Sequence, residues 1–137
     1  MKDARNALVK ALKAALDTAC DATVYARMPK STSINYPYIH ISDIYNDEVG
    51  PKDSFQFNYD TLIQVVYKDQ SSLVDFYDEI DKVVSTVNNN VPFALDSPFR
   101  IMESTLLSTS TTEYEEADGS VLNVAAIRIN FFIEESN

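Results

Sequence analysis

NYPYIHISDIYNDEVGPKDSFQFNYDTLIQVVY, residues 35–67, holds two runs of alternating apolar and polar side chains around an acidic break. Side chains alternate faces along a strand, so residues two apart share one side. From Tyr38, Ile39 and Ile41 share one side, and Tyr38, His40 and Ser42 the other. In the second run Phe55, Phe57, Tyr59, Ile63, Val65 and Tyr67 share a face. Gln56, Asn58, Asp60 and Gln64 share the opposite one, with Leu62 and Val66 as apolar exceptions. Period-two patterning sustained this long reads as a half-buried antiparallel strand. The break, YNDEVGPKDS, carries Gly50-Pro51 and reads as a hairpin loop longer than the two-residue kind.

Outward from this hairpin the period changes. Ala4, Ala7, Leu8, Ala11, Leu12, Ala15, Leu16 and Ala19 recur at three- and four-residue steps, with Lys2, Arg5, Asn6, Lys10, Lys13 and Asp17 largely elsewhere. That is an amphipathic helix with a narrow alanine-rich face, and Asp3 is a candidate cap. Thr23–Arg27 can form a short strand that Pro29 ends, with a loop over 30–35. After the central hairpin, Leu73, Phe76, Tyr77, Ile80, Val83, Val84 and Val87 form a second helical stripe, with Asp75, Asp78, Glu79, Asp81 and Lys82 between them. Ser71 or Ser72 can cap it, and NNNVP stops it. The last third reads as one hairpin. A Ser/Thr-rich strand over 99–112 contains Ile101, Leu106 and Leu107; a strand over 121–134 aligns Ile127, Ile129, Phe131 and Ile133. EYEEADGS joins them, with Asp118-Gly119 as the turn signal.

These elements predict an α+β fold, a mainly antiparallel sheet of four to five strands with two helices packed on it, in the order α-(β)-β-β-α-β-β. At 137 residues the chain suits a single domain over 1–137. An apolar fraction of 45% and a charged fraction of 23% are those of a globular protein, so disorder is not expected. No apolar run approaches the roughly 20 residues of a spanning helix, and no membrane association is expected. Charge interrupts the N-terminal segment every few residues, unlike a secretory signal, and the single Cys20 fits a reducing compartment.

The net charge is −10, unevenly spread: residues 1–35 hold six Lys/Arg against three Asp/Glu, the rest five against eighteen. So acidic a body repels phosphate, which excludes sequence-specific nucleic-acid binding and still permits a wall past which DNA slides. His40 is the obvious catalytic suspect, because imidazole titrates near neutral pH. It has no second His and no zinc-ligand spacing, and the chain has no G-x-S-x-G elbow, so it reads as a surface or interface side chain. NDEVGPKD fails as a calcium loop: counted from Asn46, the required glycine position falls on Pro51 and the required glutamate position on Phe57. The carboxylates of EYEEADGS lie at a turn where water keeps them ionised. Two glycines, Gly50 and Gly119, cannot build a phosphate cradle. No cofactor, metal or enzymatic activity is expected. Tyr38, Tyr45, Tyr59 and Tyr114 fall near strand edges and loops, where tyrosine serves either an interface or the core.

In layout the chain resembles the tail completion, or tail terminator, proteins of long-tailed bacteriophages. The resemblance runs through the helix ALVKALKAAL, VYARMP, the strand opened by YPYIHI, the long strand FNYDTLIQVVYKD, the helix LVDFYDEIDKVVSTV and the ending AAIRINFFIEE. Where members often carry glycine after the Pro-Tyr-Ile strand, this chain has Ser42-Asp43. The resemblance implies a structural virion protein, assembled in the host cytoplasm and placed at the head-proximal end of the tail. It implies a homo-oligomeric ring, typically hexameric, that caps the tail tube protein and joins the tail to the head connector or stopper, with DNA passing through. The alternatives are another head–tail connector, a tail tube component, or a small α+β ligand-binding domain or enzyme. The candidate interface loops are Asn46, Asp47, Glu48 and Asp53 in one tip and Glu113, Tyr114, Glu115, Glu116 and Asp118 in the other. Carboxylates there would either repel DNA from a channel wall or steer a basic neighbour into register.

Overall fold

The structure is a computed structural model that describes residues 4–46, 56–68, 73–88 and 93–135. Helix α1 spans Arg5–Ala19 and is followed by β1 (Thr23–Tyr25), a short 3-10 turn over Ser31–Ser33, β2 (Tyr38–Asn46) and β3 (Gln56–Lys68). Helix α2 (Leu73–Val87) leads into β4 (Phe99–Glu115) and β5 (Val121–Glu135). The strands form one five-stranded sheet in the order β1-β2-β3-β5-β4. Only the β1–β2 pair is parallel; the other three are antiparallel. The α+β class and the element order are those read from the alternation.

One face of the sheet carries the core. Ile39 and Ile41 stand opposite Val65 and Ile63. Phe57, Tyr59, Ile63 and Val65 stand opposite Ile133, Phe131, Ile127 and Ala125. All of these are buried and form one cluster with Leu8, Leu12 and Leu16 of α1 and Phe76, Val83 and Val87 of α2. The i, i+4 spacing of the three leucines puts them in one line along α1, and burying each contributes about 1.5–3 kcal/mol. The flanking alanines Ala7, Ala11 and Ala15 are half-buried and Ala19 is exposed, so leucine rather than alanine fills the interface.

Three local expectations change. Asp3 and Phe55 lie outside the described residues; Ala4 occupies the N-cap position of α1 and supplies no capping side chain. The Ala4 N–H instead donates to the buried Tyr59 hydroxyl at 3.1 Å, a long-range substitute for a cap. Of the tyrosines open to either role, Tyr59 is thereby a core residue, while Tyr114 is exposed. β1 ends at Tyr25, two residues before the expected Arg27. In β2 the register slips between Ile41 and Asp43, and the Ser42 hydroxyl donates to the Leu62 carbonyl at 3.2 Å across the bulge.

The largest correction is in α2. Leu73 and Tyr77, expected in the core stripe, are about half exposed at 52% and 51%, and Glu79, expected between stripes, is 1% exposed. The buried line runs through Phe76, Glu79, Val83 and Val87, which rotates the helix so that Leu73, Val74 and Tyr77 face water. The Glu79 carboxylate accepts from the backbone N–H of Asp21 at 3.2 Å and of Ala22 at 2.8 Å, and from the Tyr67 hydroxyl at 3.1 Å. It therefore ties α2 to β3 and to the chain leaving α1. Lys82 stands 3.9 Å from it and 3.0 Å from Asp21.

Burial pushes the Cys20 thiol from its ordinary value of 9.0 up to about 12, and the Glu79 carboxylate beside it adds to the shift. The same two causes raise the Tyr67 phenol. Both groups are raised in the fold, so both remain protonated there after the unfolded chain has released its protons. Below pH 9.0 neither state has lost the Cys20 proton and the contribution is fully present; it is lost as pH climbs towards about 12. Over that window the thiol is expected to lower stability by up to about 1.4 kcal/mol per pH unit. Urea midpoints measured from about pH 8 to about pH 11 should fall, and fall less steeply in Cys20→Ala; an unchanged slope in that variant would remove the thiol as a cause.

Candidate functional site

Three of the site candidates, Glu113, Tyr114 and Glu115, lie on β4, an edge strand. Its first residues, Phe99 and Ile101, are buried in the core. Beyond Leu106 neither side of the strand is covered: residues 107–115 are exposed throughout, with Leu107 at 52% and Tyr114 at 54%. The helices pack over the other part of the sheet, so this half of β4 is held chiefly by its ladder with β5. The register shifts between Ile101 and Glu103 and between Leu106 and Ser108. Bulges of this kind bend an edge strand and discourage indiscriminate edge pairing.

The strand continues past the expected end at Thr112 to Glu115. Glu113, Tyr114 and Glu115 are therefore ladder residues, opposite Asn123, Leu122 and Val121, and only Glu116 and Asp118 lie in the turn. Gly119 has φ +88°, the left-handed region that glycine enters without a Cβ penalty. The Glu116 N–H donates to the Ser120 carbonyl at 2.8 Å and the Gly119 N–H to the Glu116 carbonyl at 3.0 Å. Asp118 accepts from the Ser120 N–H at 3.0 Å and the Ser120 hydroxyl at 2.6 Å, which hold its carboxyl below the ordinary range. The turn is therefore ordered by its own hydrogen bonds and presents its carboxylates to water.

Pairing puts Glu113 and Glu115 on one side of β4 and Tyr114 on the other. Glu113, opposite Asn123 and through it Tyr67, lies in the row that includes the helix-covered face; Tyr114, opposite Leu122, lies in the other row. The face away from the helices carries Tyr38, His40, Leu62, Val66, Val124 and Phe132, of which Val66 is buried and the others half-buried. Tyr38 is half-buried there, against Tyr25 and Tyr36, and Lys68 sits 5.2 Å from the Tyr36 ring centre. Burial, with Tyr36 and then Glu116 adding, raises the Tyr38 phenol.

Asn46 ends β2 opposite Tyr59, at the end of the sheet away from the β4–β5 turn. Asp47, Glu48 and Asp53 lie outside the described residues. His40 is half-buried mid-strand between Tyr25 and Gln64. Among the described residues no group of three or more His, Cys, Asp or Glu side chains is placed to hold a metal ion. Among them, too, no helix is long and apolar enough to cross a membrane. A second exposed apolar patch, Leu73, Val74 and Tyr77 on α2, was hidden in the sequence because Leu73 and Tyr77 also fit a core stripe.

No protein-family model matches the chain, and no curated protein matches it in sequence. Solved structures do match in fold. A chain of the structure described as "Virion of native gene transfer agent (GTA) particle" superposes with a TM-score of 0.73 and 14% sequence identity, over 98% of this chain and 99% of that one. At that identity the likeness is one of fold, and it extends over essentially the full length of both chains.

Proposed function

We propose that this chain is a structural protein of a phage-like virion, and within it a ring-forming tail terminator that caps the tail tube and joins the tail to the head connector. The observation that carries the virion reading is the end-to-end fold likeness to a chain of a gene transfer agent particle. The finer role is supported by the resemblance in layout to tail completion proteins and by an exposed, acidic edge strand suited to contacts outside the chain. A protein with this role works by shape and charge. It needs one surface for its own copies, one for the tube end and one for the connector, and no reacting group. The single domain over 1–137, the ring of copies and the candidate contacts of Asn46, Asp47, Glu48, Asp53, Glu113, Tyr114, Glu115, Glu116 and Asp118 belong to this proposal.

Particles assembled without the protein test it. A terminator is expected to leave filled heads without tails and tubes of uncontrolled length, visible by electron microscopy. Normal joined particles in its absence would overturn the role, and tubes missing altogether would favour a tube component. Reversing Glu115 and Glu116 to Lys is expected to leave the melting curve within about 1 kcal/mol of the parent, because exposed charges contribute little to stability. The same variant should lower the yield of joined, infectious particles by about tenfold or more, the usual consequence of reversing a steering charge. Complementation of the deletion at the parent titre would make this end of β4 and its turn passive and move the contact search to the tyrosines.

A further inference from the structure

The geometry points to a head-to-tail contact between copies of this chain, in which the β4 edge of one copy receives the β1 edge of the next. This rests on the ring reading above and names the surfaces that would close the ring. β4 and β1 are the two edges of one sheet, and with three strands between them they stand roughly 19 Å apart at about 4.8 Å per step. Their charges are opposite. Along β4 and its turn lie Glu103, Glu113, Glu115, Glu116 and Asp118, and there is no Lys or Arg from residue 101 to 127. Along the other edge, the segment leaving β1 carries Arg27 and Lys30, both exposed; Asp21, just before β1, is exposed as well, but its carboxylate is paired with Lys82 at 3.0 Å.

Glu113 and Glu115 make no ion pair among the described residues, and neither do Arg27 and Lys30. Their separation across the sheet keeps the two pairs from satisfying each other within one chain. Asp118 is engaged by the Ser120 N–H and hydroxyl within the turn, whereas Glu113 and Glu115 are exposed ladder residues of the edge strand itself, so these two are the carboxylates placed to serve a neighbour. The same arrangement selects the mode of contact. A symmetric pairing of two β4 edges would bring acidic strands together, and like charges across an interface oppose association. Different patches on opposite edges make a heterologous contact, which closes into a ring when the rotation between copies divides a full turn. Leu107 and Tyr114, exposed along the same half of β4, give the contact apolar area as well as charge.

Native mass spectrometry and sedimentation of the full chain at low salt and high protein concentration test this with two charge-reversed forms. Glu113→Lys with Glu115→Lys should prevent self-association, and so should Arg27→Glu with Lys30→Glu, each weakening it on the order of tenfold or more. Each alone presents like charges on both edges. Mixed in equal amounts, the two forms present opposite charges at every contact and should assemble again, with both chains in equal number. Added salt should weaken the parent assembly. Urea melts matching the parent establish that both forms are folded. A parent that is monomeric at every concentration, a mixture that fails to assemble, or reversed forms that associate like the parent would overturn the contact; the last result would assign the acidic edge to a different basic partner. A parent that stops at a symmetric dimer would also overturn it. None of these results bears on the virion reading, which the particles assembled without the protein decide.

Discussion

Ile129→Asp is expected to leave no folded protein. Ile129 is fully buried in the middle of β5, opposite Thr61 on β3 and Leu106 on β4, so a carboxylate there has strands on both sides and helices above. Bringing an unpaired charge into such a place costs several kcal/mol even after it takes up a proton, and the lost packing of the isoleucine adds about 2–5 kcal/mol. Together these match a typical total stability of about 5–15 kcal/mol. Ile80→Asp, which the apolar stripe alone would rank equally severe, should be milder, because Ile80 is only half-buried and a carboxylate there can turn to water. His40→Ala, on the face away from the helices and outside the main core cluster, should cost less than either, about 1 kcal/mol. The urea midpoint should therefore be lower for Ile80→Asp than for His40→Ala, and Ile129→Asp should show no cooperative unfolding transition at all. If His40→Ala were the worst of the three, the assignment of faces in β2 would be reversed.

That ranking shows where residue patterns suffice. The faces of β2, β3 and β5 were legible because alternation ties each side chain to its strand neighbours, so Ile39, Ile63 and Ile129 identify the covered side without reference to the rest of the chain. The leucine line of α1 was legible for the same reason at helical spacing. Contacts that depend on a distant partner were not. β4 was expected to stop at Thr112 because Glu-Tyr-Glu-Glu reads as a turn, yet ladder bonds to β5 carry it to Glu115. Nothing local says that β5 rather than β4 lies beside β3, and that choice is what leaves β4 as an open edge. The signal available was its Ser/Thr run with few apolar residues, which marks a strand with no core to face. The interface candidates were legible only as exposed acids. That Asn46 and the β4–β5 turn stand at opposite ends of the sheet needed the register.

Glu79 is the residue whose reading changes most, and Glu79→Ala is expected to destabilise the fold by about 3–5 kcal/mol, close to the loss on breaking a buried charged network. A charge inside a helical stripe is ordinarily assigned to solvent, and here the assignment fails because three donors converge on the site from far along the chain. The Asp21 and Ala22 N–H groups lie just beyond α1, where the chain turns into β1 and has no ladder partner for them, and the Tyr67 hydroxyl reaches in from the end of β3. Removing the carboxylate strands these donors, each costing about 1–3 kcal/mol if water cannot reach it. Solvent reaches Asp21, an exposed residue, so the sum falls below the full total of three. With a urea slope of about 2 kcal/mol per molar, the midpoint should drop by about 2 M. Glu79→Gln keeps one acceptor oxygen and the same shape but turns an amide NH2 towards donors, so an intermediate loss of about 1–2 kcal/mol is expected. Tyr67→Phe removes one donor and leaves the carboxylate its two backbone bonds, and its loss should be smaller than that of Glu79→Ala. In the double variant the two losses should not add, because the hydroxyl bond is shared between them. Additive losses would mean that Tyr67 contributes through its ring alone, against Phe76 at 5.6 Å, and that the carboxylate serves only the backbone after α1.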